Sequence, residues 1–143
     1  MYKRQYPDWD LERKNKVVGG VALGHAVYMG PHRLELVKIL LEYGASLAHH
    51  SILGSSILIT LCSSEGADPE ILRLLLRTKM KSSVNYRLRG RTAKWRIVYK
   101  LAQFLNRNKL TKSGLMIALA QDSGSTALHY ACLLYTSDAA DEL

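Results

Sequence analysis

The chain has 143 residues, with 20 Lys and Arg against 12 Asp and Glu, and a formal net charge of +8. That length holds one domain with a modest core. No apolar run reaches the roughly 18 residues that suggest a membrane span, and no apolar segment follows the basic start Met1–Gln5 to make a signal peptide.

Taken in order, the two ends stand apart from the rest. Met1-Tyr2-Lys3-Arg4-Gln5 and Cys132–Leu143 resemble the two strands of a transposon-type sequencing-library adapter read as protein, each facing the right way. On this reading 6–131 is an internal piece of a longer protein and 132–143 is a non-native tail. Residues 1–16 are then an adapter-like start followed by a linker or the remnant of an earlier unit. Setting the ends aside removes Lys3 and Arg4 against Asp138, Asp141 and Glu142, taking +8 to +9. Cys132 goes with them, and Cys62 alone cannot close an internal disulfide. No disulfide is therefore expected, which is compatible with a reducing compartment without establishing one; the expected location is intracellular and cytoplasmic.

From Val17 onward the chain repeats itself. Helix starts fall at Val21, Ser56, Thr92 and Thr126, steps of 35, 36 and 34 residues, and a glycine stands two positions before each: Gly19, Gly54, Gly90 and Gly124. Leu36–Leu41 and Ile71–Leu76 place apolar residues at i, i+1, i+4 and i+5, which predicts a second helix in each of the first two units. Gly44 suits a left-handed helix end, Asp68 a cap, and Pro69 the first helical position. In the third unit a long helix precedes an irregular connector over 106–111, and Ser113–Gln121 follows as the second helix.

The clearest start is Gly124-Ser125-Thr126-Ala127-Leu128-His129-Tyr130-Ala131, which resembles the opening of an ankyrin repeat, G-x-T-P/A-L-H-x-A, at every defined position. Leu36–Leu41 and Ile71–Leu76 resemble the family's second helix, E-I-V-x-x-L-L. The resemblance implies an all-α, ankyrin-type helix–turn–helix solenoid over 17–131. It would comprise three degenerate repeats (about 19–53, 54–89 and 90–123) and the start of a fourth at 124–131. Departures are Gly24 and Ile59 at the family's His position, Lys94 and Trp95 in place of Leu and His, and Lys79 where Gly44 stood. Two-residue insertions fall around Gly30–Arg33 and Glu65–Pro69.

Local chemistry adds no reaction to this picture. Gly19, Gly20 and Gly24 echo a phosphate loop only weakly, with no G-x-G-x-x-G and no Lys-Ser/Thr following, and read better as turn residues. His25, His32, His49 and His50 match no zinc spacing. Cys62 sits on an apolar stripe as a buried small hydrophobe. No catalytic residue, cofactor, metal or small-molecule substrate is expected, and the chain is not read as an enzyme.

Charge is the feature above background. From Ile71 to Gln121 there is no Asp or Glu, while most of the chain's Lys and Arg fall in that span. Within it Trp95, Val98, Tyr99, Ala102 and Leu105 recur at helical spacing and read as the core-facing side of a long helix. The family grips partners by hairpin tips and the open side of first helices. The resemblance therefore implies contacts at His49 and His50, Tyr28 and Met29, Arg87, Arg89 and Arg91, Arg96, Tyr99 and Lys100, and Tyr130. The function so implied is protein binding with an acidic partner surface. Two alternatives come from other classes: an anionic-membrane or nucleic-acid element at 87–112, and the targeting region of a larger enzyme or channel.

Overall fold

A computed structural model describes residues 10–29, 32–64, 67–78 and 84–133. Regular structure among them is helical, with no strand, as the periodicity requires. The first hairpin is α1 (Ala22–Tyr28) and α2 (Arg33–Glu42), and the second is α3 (Ile57–Cys62) and α4 (Pro69–Arg77). The third is α5 (Ala93–Arg107) and α6 (Gly114–Asp122), after which α7 occupies 127–133. Met1–Gln5, Gly30-Pro31, Glu65-Gly66, Lys79 and most of Cys132–Leu143 lie outside the described residues.

Helix ends follow local side-chain chemistry. Ser56 Oγ accepts from Ile59 N–H at 3.3 Å, and Thr92 Oγ1 accepts from Trp95 N–H at 3.3 Å. Asp68 Oδ1 accepts from Glu70 N–H at 2.8 Å, with Pro69 at the first helical position. Each such cap satisfies an amide that the helix leaves unpaired, contributing about 1 kcal/mol. Gly44 closes α2 at φ +83°, with Gly44 N–H donating to Leu41 and Ala45 N–H to Leu40. That double bond pattern is the Schellman motif. Lys109 closes α5 in the same way at φ +55°, with Lys109 N–H to Asn106 and Leu110 N–H to Leu105.

The first two hairpins lie side by side, α1 against α3 and α2 against α4. Leu23 and Val27 of α1, Val37 of α2, Leu58 and Leu61 of α3, and Ile71 and Leu75 of α4 form their shared core, which continues through Leu88 and Tyr99 to Ala127. Helix-to-helix packing between the second and third hairpins is slight, and the turns carry that junction instead. Ile52 N–H donates to Val18 C=O at 3.1 Å, and Arg91 N–H donates to Ile52 C=O at 3.1 Å. Leu88 then pairs on both sides of its own peptide unit, its N–H to Ser125 C=O at 2.8 Å and its C=O from Gly124 N–H at 3.0 Å.

The third hairpin keeps the repeat spacing but not its orientation. Two, five and six residues after the N-cap, the first two hairpins bury Leu23, Ala26 and Val27, then Leu58, Leu61 and Cys62. After Thr92 the equivalent residues begin with Lys94, which is exposed; Tyr99 and Ala102 are buried instead, with Trp95 and Val98 half-buried. The helix has turned by about one residue, roughly 100°. An unpaired lysine in the core would be far more costly than this rotation.

Glycine requirements at two turns differ in kind. A Cβ on Gly54 (φ +95°) would sit 1.9 Å from the Arg89 carbonyl oxygen, whereas one on Gly44 would meet open space. Gly54→Ala is expected to lose about 2–5 kcal/mol from combined left-handed strain and overpacking, and Gly44→Ala about 1–2 kcal/mol from strain alone. Lys109→Gly should gain up to about 1 kcal/mol by relieving strain. Urea unfolding midpoints of the three variants check this order.

Candidate interaction surface

The segment 86–91 alternates as an extended chain does. Tyr86 is half-buried and Leu88 and Gly90 buried, while Arg87, Arg89 and Arg91 are exposed. Leu88 is only 2% exposed and its peptide groups are paired, so the backbone carrying these arginines is fixed. Alternate residues of an extended chain stand about 6.5–7 Å apart, so the three cations form an evenly spaced row. Arg96 and Lys100, both exposed on α5, continue the positive surface. Among the described residues the ion pairs are Arg73 with Glu70 and His32 with Glu35, so no carboxylate neutralises this row.

Other sequence-predicted contacts divide. Tyr28 and Met29 end α1 in the open, at 44% and 63% exposure. Tyr99 does not belong to the surface: it is 4% exposed, and its hydroxyl donates to Leu53 C=O at 3.2 Å. Burial, then the Asp122 charge, raise its phenol to about 12. The rotation of α5 turns it inward, where it ties the third hairpin to the second. Tyr130 is half-buried, its hydroxyl donating to Asp122 Oδ1 at 2.8 Å, and its phenol is raised first by burial and then by that carboxylate. It braces α7 on α6.

His49 and His50 are not the exposed tip that the repeat frame implies, since both are half-buried. His49 Nε2 lies 2.8 Å from Gly19 C=O, to which it donates. His50 packs its ring on Tyr86 with centroids 4.4 Å apart, and its two ring nitrogens are buried without a hydrogen bond of good geometry. Burial, then Arg91, hold its pKa below the ordinary 6.5; His49 adds to this and the Ala48 backbone offsets a part.

Asn15 is the structural residue that the sequence reading missed. Its Oδ1 accepts from Val17, Val18 and Gly19 N–H at 2.8–3.1 Å, and its Nδ2 donates to His25 Nε2 at 2.8 Å. Glu12 Oε1 accepts from Ser46 N–H at 2.7 Å. The described part of the stretch read as a linker or the remnant of an earlier unit, 10–16, is thus seated on the first hairpin. An asparagine before a glycine pair is the local signal that could have suggested the turn.

Cys62 is buried, with burial raising its thiol, which disfavours the nucleophilic thiolate. Among the described residues no three His, Cys, Asp or Glu converge as metal ligands, and no helix is long and apolar enough to cross a membrane. Comparison with protein-family models, curated proteins and solved structures finds no match.

His50 gives the fold a pH dependence of definite sign. Because its folded pKa is depressed, the unfolded chain takes up the proton first as pH falls. Its stabilising contribution is full well above 6.5 and declines as pH drops through that value towards the folded pKa. Lowering pH from about 7.5 to about 5.5 should reduce the urea midpoint, and His50→Phe should lessen that reduction. An equal reduction in the variant would remove His50 as its source.

Proposed function

We propose that this chain is a protein-interaction scaffold of stacked ankyrin-type helix–turn–helix units whose basic face takes an acidic partner. Binding, not catalysis, is its role, inside the cell. The observation that carries the reading is the row Arg87, Arg89 and Arg91, held outward by the inward burial of Leu88 and Gly90 and, among the described residues, without a carboxylate partner. The side-by-side hairpins, and turns joined by backbone hydrogen bonds about one repeat apart, support the ankyrin-type stack. The Thr126 hydroxyl lies 2.8 Å from His129 Nδ1 at the start of α7, which gives the best-matched motif a local structural role.

A pinned row of cations attracts carboxylates with little further loss of backbone freedom, so it favours fast encounter and a fixed orientation. A Glu/Asp-rich peptide of about 20 residues should bind at low salt. Raising salt from about 0.05 to about 0.5 M shortens the screening length from roughly 14 to roughly 4 Å and should weaken that binding strongly. Substituting Arg87, Arg89 and Arg91 together by Ala should weaken it about tenfold or more. Titration by fluorescence anisotropy measures both effects. Affinity that ignores salt and the triple substitution would take the basic face out of the site, and preference for a short DNA duplex or phosphatidylserine vesicles would favour the other anionic partners.

A further inference from the structure

The rotation of α5 leaves a second apolar stripe on its outer side. At 100° per residue, Ile97, Leu101 and Phe104 fall within an arc of about 60°, opposite the buried Tyr99 and Ala102. They are 66%, 47% and 59% exposed. Three large apolar side chains in line on one helix are not the scattered singles of an ordinary surface. Exposed Arg96, Lys100 and Arg107 run along one edge of the stripe, and exposed Lys94 stands at the other. None of these four has a carboxylate partner among the described residues.

We propose that this face docks an acidic amphipathic helix of a partner protein. Apolar side chains spaced three and four apart would lie on Ile97, Leu101 and Phe104, and Asp or Glu beside them would meet Arg96, Lys100 and Arg107. The stripe covers about two turns, roughly 10 Å, which is the reach of anchors at i, i+4 and i+7. Its width selects the occupant. A membrane-surface helix presents a broad apolar face, whereas an arc of about 60° is the narrow seam of helix-on-helix packing. Charge disfavours face-to-face pairing with a second copy, which would bring the same acid-free segment against these cations.

This inference rests on the reading of the chain as a scaffold for an acidic partner, and the test separates the two. The probe is a labelled helical peptide of about 20 residues with leucines at i, i+4 and i+7 and flanking glutamates, compared with a scrambled peptide of the same composition. The amphipathic peptide should bind at least about tenfold tighter, and Ile97→Ser with Phe104→Ser should erase that advantage while circular dichroism and thermal midpoint stay unchanged. Should the double substitution disturb the fold, Leu101→Gln serves in its place. Lys100→Glu should weaken binding, and a peptide with lysine replacing one facing glutamate should restore it. Equal binding of both peptides, lost only on substituting Arg87, Arg89 and Arg91, overturns helix docking and leaves the basic-face reading intact. Stripe-dependent retention on phosphatidylserine vesicles without peptide binding also overturns it. Failure of both peptides to bind at low salt overturns both readings.

Discussion

The turns hold this structure in register, because they share their backbone hydrogen bonds. Ile52 gives its N–H to Val18 and takes one from Arg91, while Leu88 is paired on both sides with the turn at 124–125. Beside these contacts, Gly54 meets the Arg89 carbonyl more closely than a side chain permits. An amide left unpaired in such a junction costs about 1–3 kcal/mol, so the pairing sets the spacing of the hairpins as well as joining them. Where helix packing thins, between the second and third hairpins, the turn contacts and the Tyr99 hydroxyl on Leu53 carry the connection.

That dependence explains which parts were legible in the sequence. Punctuation is local, so Gly19, Gly54 and Gly124 at positive φ, Gly44 at its helix end, and Asp68 with Pro69 could all be placed from residue type and spacing. Gly90 was placed for its period, but its role differs: a Cβ there would meet the Trp95 backbone at 2.7 Å, so it provides room rather than a left-handed turn. The second helix expected at Ser113–Gln121 forms as Gly114–Asp122 with Ser113 as its N-cap. The side chains expected on the core side of α5 are indeed its inward face, Tyr99 and Ala102 fully so.

The parts that were not legible depend on distant neighbours. Thr92 keeps the helix start in frame, and only the cost of burying Lys94 reveals that the helix behind it has turned. The same turn takes Tyr99 off the exposed surface and puts Ile97, Leu101 and Phe104 on it, although all four lie in one recognisably amphipathic segment. Likewise His50 reads as a tip residue until Tyr86, 36 positions later, supplies the ring against which it packs. Asn15 needs both the 17–19 amides and His25 to show its role. Pattern identified the elements; the contacts between elements decided which face each presents.

One constraint links the charge to the fold. A segment without a single carboxylate from 71 to 121 cannot relieve its own repulsion by internal ion pairs, and its cations must stand in water. Leu88, Gly90 and Tyr99 are inward positions that make this possible, each setting an adjacent Arg or Lys outward on a fixed backbone. Repulsion within the folded chain is therefore held against, rather than removed by, the packing of the third hairpin. A ligand that brings carboxylates relieves it at the moment of binding, so association and stability are coupled through the same surface. The turn contacts that fix the hairpins thereby also fix the positive field of this surface.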